Sequence, residues 1–439
     1  MSYHESIQYL YSLQKYGIKF GLDNITRLAF ELGNPHKLFH TLHVGGTNGK
    51  GSTSAIAASI LQAAGFTVGL FTSPHLISFT ERIRINGAEI TEQDVVGLSE
   101  EVRDVALHMP DFSPTFFEVV TAMALLYFSR KKIDIAVMEV GMGGRLDATN
   151  IIAPDACVIT QISYDHMDYL GKALKDISRE KAGIIKTGIP VVSALQEPEA
   201  MDIIQMKAIE HNAEVSVYGR DFASRLHRED ASGILFDYQD AHMTIDNVYL
   251  PLAGVHQMQN ASMAIRAVSL VSQSMTDRCI KEGLKNTKWP GRLELIHNDP
   301  PILIDGAHNP AAAVVLSQAL KDIFLKSYKN IILILGIMGD KDIAGILKPL
   351  LPLAAHIVFT RPSYTRAASP ETLSHVAESM GFSRVHTAHT VKNALLIGMK
   401  NASNYEPGSA LIVVTGSFYT IGEAMEVLGQ TGVLTTLRE

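Results

Sequence analysis

Short apolar runs at 42–44, 67–71, 134–140 and 156–162 alternate with stretches in which apolar residues return every three or four positions. The runs predict buried strands. The longer period predicts helices over 2–16, 25–32, 50–64, 91–108, 115–129 and 174–185. Asn86-Gly87, after Arg82-Ile83-Arg84-Ile85, supplies the positive φ angles of a tight hairpin turn. Thr91 followed by Asp94 has the spacing of a helix start. Strands alternating with helices over this length predict an α/β fold with a doubly wound, mostly parallel sheet. Residues 214–250 are strand-like and rich in turns, and predict a small antiparallel patch. A helix over 256–274 follows. Trp289-Pro290-Gly291-Arg292 breaks the rhythm and predicts a hinge. From Pro301 a second, Rossmann-like α/β unit is predicted. Its strands fall at 302–305, 331–336, 356–360 and 411–415, and its helices near 310–325, 341–350, 370–380, 390–401 and 418–428. The expected domains are 1–295 and 296–439.

Composition narrows the partners. The chain has 439 residues, 46% apolar and 19% charged, with a net charge of −7 and no block of Lys or Arg. A large core is available, and nucleic acid is not the expected partner. Cys157 and Cys279 give no disulfide framework and no metal-knuckle spacing, which fits a reducing cytosol. Met1-Ser2-Tyr3-His4-Glu5 has neither the basic start nor the apolar core of a signal peptide. No apolar run approaches the ~18–20 residues that cross a bilayer. The expectation is a cytoplasmic protein without membrane partners.

One stretch organises the rest. Gly45-Gly46-Thr47-Asn48-Gly49-Lys50-Gly51-Ser52 lies between a predicted strand and a predicted helix. Glycines let backbone N–H groups turn toward an anion, and the helix N-terminus adds partial positive charge. Lys50 is placed to reach outer phosphates, and Ser52 or Thr53 to hold magnesium. The strict phosphate-loop rule is not met, because Gly51 separates Lys50 from Ser52. The loop is therefore P-loop-type without being that of a generic kinase or GTPase.

Other chemistry gathers at predicted strand ends, where ligands of such sheets bind. Ser73 is either a hydroxyl ligand or a turn residue before Pro74. Glu139 closes an apolar strand, as a magnesium ligand or a structural acid. His166, between Asp165 and Asp168, is a second candidate ligand or a loop histidine paired to an acid. Lys181 reads as a solvated lysine on a charged face. Pressed toward apolar surroundings, it would lose its proton more easily, and the amine would then accept CO₂ as a carbamate. Arg292 and Asp305, with His308, flank the hinge. They read as a phosphate clamp and nucleotide contacts, or as a hinge salt bridge and a helix cap.

Taken together, these stretches resemble the Mur ligase superfamily, and within it the folylpolyglutamate synthase and dihydrofolate synthase branch. The matching segments are the 46–52 loop, Thr72-Ser73-Pro74-His75, Phe116-Phe117-Glu118, the segment from Glu139 to Asn150, Asp165-His166, Glu180-Lys181-Ala182-Gly183-Ile184, Pro290-Gly291-Arg292 and Asp305-Gly306-Ala307-His308-Asn309-Pro310. They stand in the family's order over almost the whole chain. The resemblance implies an ATP- and Mg²⁺-dependent ligase that joins a pterin or folate carboxylate to L-glutamate through an acyl phosphate. It implies that Gly49, Lys50, Gly51, Ser52, Asn260, Arg292 and Asp305 bind ATP, and that Ser73, Glu139 and His166 hold Mg²⁺. A carbamylated Lys181 would help position a second metal and the acyl phosphate, and His308 would lie near the reacting groups. Phe116, Phe117, Glu118, Arg145, Leu146 and Asp147 would line the pterin side, with loop 17–24 shaping that pocket. The implied substrates are ATP, L-glutamate and dihydropteroate or reduced folates, the implied state a monomer, and both folate activities are expected. A peptidoglycan-type ligase is the rival within the class. A nucleotide-binding module without turnover is the rival outside it.

Overall fold

The structure is a computed structural model, and it describes residues 1–17, 21–272 and 274–429. Positions 18–20 of the loop expected to shape a pterin pocket lie outside the described residues.

The first sheet has eight strands: β1 (His40–Gly45), β2 (Val68–Phe71), β3 (Ile83–Ile85), β4 (Ala88–Glu89), β5 (Ile135–Glu139), β6 (Ala156–Ile159), β7 (Val191–Ser193) and β8 (Val215–Val217). Their order is β4-β3-β2-β5-β1-β6-β7-β8. Six strands run parallel; at one edge β3 runs against them, and β4 turns back antiparallel to β3. Register sets the site. Val44 pairs with Glu139, Gly45 with Ile159 and Phe71 with Met138, so β1, β2, β5 and β6 end at one level. Parallel strands covered on both faces read as apolar runs, which is why β2, β5 and β6 stand out in the sequence, while Thr41 and His43 interrupt β1.

Successive side chains feed two cores. Leu42 and Val44 face the helices Lys50–Ala63 and His256–Val271, whereas Ala136 and Met138 face Phe116–Arg130. The helix Phe116–Arg130 is buried from Glu118 to Phe128, and a capping box holds its start. The Lys50–Ala63 helix carries small residues, which let Asp277–Lys285 approach closely. A Cβ on Gly283 would lie 2.4 Å from the Ile60 Cα. Gly283→Ala should therefore destabilise the fold by about 1–3 kcal/mol despite its better helix propensity. An unfolding midpoint at or above wild type would show that these helices can separate freely.

β9 (Phe222–Asp230), β10 (Gly233–Asp240) and β11 (Thr244–Leu250) form an antiparallel sheet. The predicted patch thus loses its first strand, because β8 joins the main sheet in parallel with β7. The third sheet contains β12 (Glu294–Asn298), β13 (Pro301–Ile304), β14 (Asn330–Leu335), β15 (Ala354–Thr360), β16 (Val385–Ala388) and β17 (Ala410–Thr415). Its order is β12-β13-β17-β14-β15-β16, parallel except for β12. β12 spans the expected 295/296 boundary. The sequence reading did not include β7, β12, β16 or the helices Pro198–Glu210 and Asp277–Lys285. Among the described residues, no helix is long and apolar enough to cross a membrane.

Candidate active site

The strand ends open into a cleft of about 200 Å³ whose far wall belongs to the third-sheet unit. The 49–52 cradle forms its floor. Gly49 is the N-cap of the Lys50–Ala63 helix at φ 90, and a Cβ there would meet Asn260 Oδ1 at 2.4 Å. Only glycine gives both this left-handed turn and this close approach. Lys50 Nζ donates to the Thr47 carbonyl at 3.2 Å, so its ammonium stays at the loop mouth. Asn260 also faces the cleft, and its Nδ2 donates to Gln257 Oε1 at 3.0 Å.

Ser73, Glu139 and His166 share this cleft. Glu139 is 4% exposed, and one of its oxygens accepts the Ser73 N–H at 3.0 Å. No described donor reaches its other oxygen. Burial raises its pKa, while Lys50 and then Arg292 and Arg82 act to lower it. His166 adopts a left-handed conformation, φ 51, and its ring lies 3.9 Å from Asp165. Burial lowers its pKa to about 4, which leaves the imidazole neutral and able to donate its lone pair. A carboxylate, a hydroxyl and one imidazole on an open cleft fit Mg²⁺, which takes oxygen ligands and keeps several waters. Among the described residues no cluster of three or more His, Cys, Asp or Glu suits a closed metal cage.

Lys181 is not a solvated lysine. It is 3% exposed, and its Nζ donates to the Gly46 carbonyl at 2.7 Å, inside the cradle. Burial, reinforced by Lys50, lowers its pKa to about 7.

From the other unit come Arg292, Asp305 and His308. Arg292 is buried, lies over the Phe418 ring at 4.9 Å and makes no ion pair among the described residues. Leu293 beside it adopts φ 46, an outlying conformation for a bulky residue and one that gathers at functional sites. Asp305 accepts the Leu293 and Ala307 N–H groups at 3.1 and 2.9 Å. The cap of the following helix is Asn309. Thus among the described residues Arg292 forms no hinge salt bridge, and Asp305 is not the cap. His308 donates from Nδ1 to the Gly306 carbonyl at 2.9 Å, and its Nε2 lies 3.5 Å from Asp165.

The six residues expected on the pterin side lie outside this cleft wall. Phe116 stacks on Tyr11 at 5.5 Å, and Phe117 packs on Phe71 at 5.8 Å. Glu118 caps its helix through the Thr115 N–H. Asp147 accepts the Met142 and Thr149 N–H groups, so this carboxylate shapes the loop after β5. Arg145 pairs with Glu180 at 2.8 Å, and Leu146 is half-buried.

Several residues of the site were not singled out. Lys341 forms an ion pair with Asp165, which is also 3.2 Å from Asn309 Nδ2. Asn309 in turn bonds Asn48 at 2.9 Å, tying the third-sheet unit to the cradle. Gln257 Nε2 and Trp289 Nε1 line the cleft as buried donors without partners among the described residues. The strand-end rule would have found Lys341, which follows β14.

The chain matches the Mur ligase middle domain over residues 44–268 and the Mur ligase glutamate ligase domain over 291–418. It is 35% identical to a Bacillus subtilis dihydrofolate synthase/folylpolyglutamate synthase, covering 96% of this chain and 98% of the relative. It is 34% identical to the Lacticaseibacillus casei folylpolyglutamate synthase, covering 98% and 99%. Among solved structures, Mycobacterium tuberculosis folylpolyglutamate synthase complexed with ADP and AMPPCP superposes with a TM-score of 0.91 at 32% identity, covering 98% of this chain and all of that one. Escherichia coli FolC in complex with DHPP and ADP gives 0.87 at 32%, covering 98% of each. With both domains matched and full-length relatives above 30% identity, this chain belongs to the dihydrofolate synthase/folylpolyglutamate synthase family of Mur ligases and is an acid–amino acid ligase.

Proposed function

We propose that this ligase joins the carboxylate of dihydropteroate, or the terminal carboxylate of a reduced folate, to the amino group of L-glutamate at the cost of one ATP. The observation that carries the reading is the convergence of Lys50, Glu139, Lys181, Arg292 and Asp305 on one cleft between two α/β units. Relatives named for both activities support the bifunctional form.

The cradle N–H groups, Lys50 and Ser52 hold the phosphates, and Arg292 reaches across from the other unit. Buried donors at Gln257 and Trp289 suit the polar edge of a base. The substrate carboxylate takes the γ-phosphoryl group, giving an acyl phosphate and ADP. The glutamate amine attacks the acyl carbon, and collapse of the tetrahedral intermediate releases phosphate and leaves the amide. Mg²⁺ held by Glu139, Ser73 and His166 would offset the negative charge crowded at the transferring phosphoryl. Neutral Lys181 adds CO₂ and releases a proton, and the carbamate anion then faces Lys50. His308 stands near the reacting carboxyl. The third-sheet unit, which starts at Gly291 with the glutamate ligase domain match, covers the cleft and keeps water from the acyl phosphate. The protein acts as a monomer in the cytoplasm, where two buried free cysteines stay reduced.

The test supplies purified protein with ATP, Mg²⁺, L-glutamate and either dihydropteroate or tetrahydrofolate, and weighs the products. Each acid should gain one glutamate residue with one ADP released per bond. ATP hydrolysis without a heavier acid would remove the reading.

A further inference from the structure

We propose that Arg82, held by His75, receives a carboxylate of the acid substrate that does not react, and so recognises a substrate already ending in glutamate. The inference rests on the folate reading above.

Arg82 is a buried cation that no carboxylate contacts directly among the described residues. It is 7% exposed and makes no ion pair among the described residues. Its one side-chain hydrogen bond runs from Nε to His75 Nδ1 at 2.7 Å. Both terminal nitrogens of the guanidinium, the fork that fits a carboxylate, have no described acceptor. Buried charges are otherwise found paired, because desolvation is costly. The adjacent acids do not serve. Glu81 spends its oxygens on the Leu76, Ile77 and Ser78 N–H groups. Glu139 feels the Arg82 charge, yet it gives one oxygen to the Ser73 N–H and makes no ion pair with Arg82 among the described residues.

The surroundings hold the fork in place. His75 accepts at Nδ1, so its proton sits on Nε2, which donates to the Tyr11 hydroxyl at 3.2 Å. The guanidinium lies over Phe116 at 5.3 Å, and Phe116 stacks on Tyr11 with 7° between the rings. A positive fork beside an aromatic wall suits a flat conjugated acid with an anionic tail.

Position relates this fork to the reaction. The Arg82 carbonyl accepts the Thr72 N–H at 3.0 Å, and the next residue, Ser73, donates to Glu139. Two hydrogen bonds through Thr72 and Ser73 thus link Arg82 to the acid at the phosphoryl-transfer centre, and the charges of Arg82 and Glu139 act on each other. A substrate ending in glutamate has an α-carboxylate four carbon–carbon bonds from the γ-carboxylate that is phosphorylated. Dihydropteroate has one carboxylate, and that one must react. A cation placed beside the centre therefore has a partner in the first substrate and none in the second.

The experiment compares three acids with full-length wild type and Arg82→Met. They are tetrahydrofolate, its analogue with 4-aminobutyrate in place of glutamate, and dihydropteroate. The analogue keeps the reacting carboxylate and lacks the α-carboxylate. Wild type should prefer tetrahydrofolate to the analogue by about 100-fold in KM, and Arg82→Met should shrink that gap to within about threefold, with kcat changing less. A gap that survives the substitution, or equal losses on all three acids, overturns the proposal. So does a wild type that uses dihydropteroate but not tetrahydrofolate, although the ligase reading then stands. A wild type that glutamylates none of the three removes the folate reading itself. Removing an uncompensated buried charge should leave the unfolding midpoint at or above wild type, which a purely structural Arg82 would not allow. If Arg82→Met fails to fold, Arg82→Lys carries the same comparison, retaining charge while losing the fork.

Discussion

Lys50→Ala should lower glutamylation of dihydropteroate and of tetrahydrofolate by roughly a thousandfold or more while the protein stays folded. The fold is spared for local reasons. Lys50 opens its helix, its Nζ makes one bond to the Thr47 carbonyl, and alanine is a better helix former. Nothing in the apolar cores rests on it. The reaction is a different matter. Transfer of the γ-phosphoryl to a carboxylate brings two anions together, and a fixed ammonium at the loop mouth is worth more in the transition state than in the ground state. ADP binding should therefore weaken far less than turnover, because the backbone N–H cradle remains. Mass measurement of the glutamylated products reads the first effect, and calorimetric titration with ADP reads the second. Near-normal turnover would take the cradle out of the chemistry.

The sequence made the scaffold legible where burial was complete. β5, β14 and β17 are apolar runs because helices cover both faces of their sheets, whereas β1 is interrupted by Thr41 and His43. β12 and β16 edge the third sheet, and residues such as His297, His386 and Thr387 give them no such run. The three residues of β8 are too few to tell a parallel neighbour from a hairpin partner.

The site was legible as strand ends and glycines, and less so as individual partners. Lys341 meets Asp165 across 176 positions, a contact that no local spacing encodes. Glu118 and Asp147 show the converse. A carboxylate three residues after a threonine, or at the end of a glycine-rich loop, looks the same as a cap or as a ligand, and here one Glu118 oxygen and both Asp147 oxygens accept backbone N–H groups. Lys181 did carry a usable signal. Leu174, Ile177, Ser178, Lys181 and Ala182 form one helical stripe, and all five are buried. The neighbouring charges at Arg179 and Glu180 masked that stripe.

That burial yields the second large effect, at Lys181. Its folded pKa of about 7 lies well below the usual 10.5. At pH 7 about half the side chain is the neutral amine that can attack CO₂, and at pH 6 about a tenth. Activity should fall as pH drops through 7 and recover with added bicarbonate. Lys181→Ala should lose roughly 100- to 1,000-fold in kcat, the scale of a lost charged group at a phosphoryl-transfer site. Acetate or formate should restore part of it, since a small carboxylate can occupy the place of the carbamate. The rescued variant should also lose the acid limb near pH 7, because a carboxylic acid stays ionised down to about pH 5. Stability gives an independent check with a definite sign. The unfolded chain binds more protons than the folded one between pH 7 and 10.5, so the cost of burying Lys181 is full below pH 7 and fades as pH rises. Lys181→Met should therefore unfold at a higher temperature than wild type at pH 6, and the difference should narrow toward pH 9. Full activity in Lys181→Ala without added carboxylate would end the carbamate proposal. A stabilised but inactive Lys181→Met would mean that this buried amine is kept for chemistry at the expense of stability.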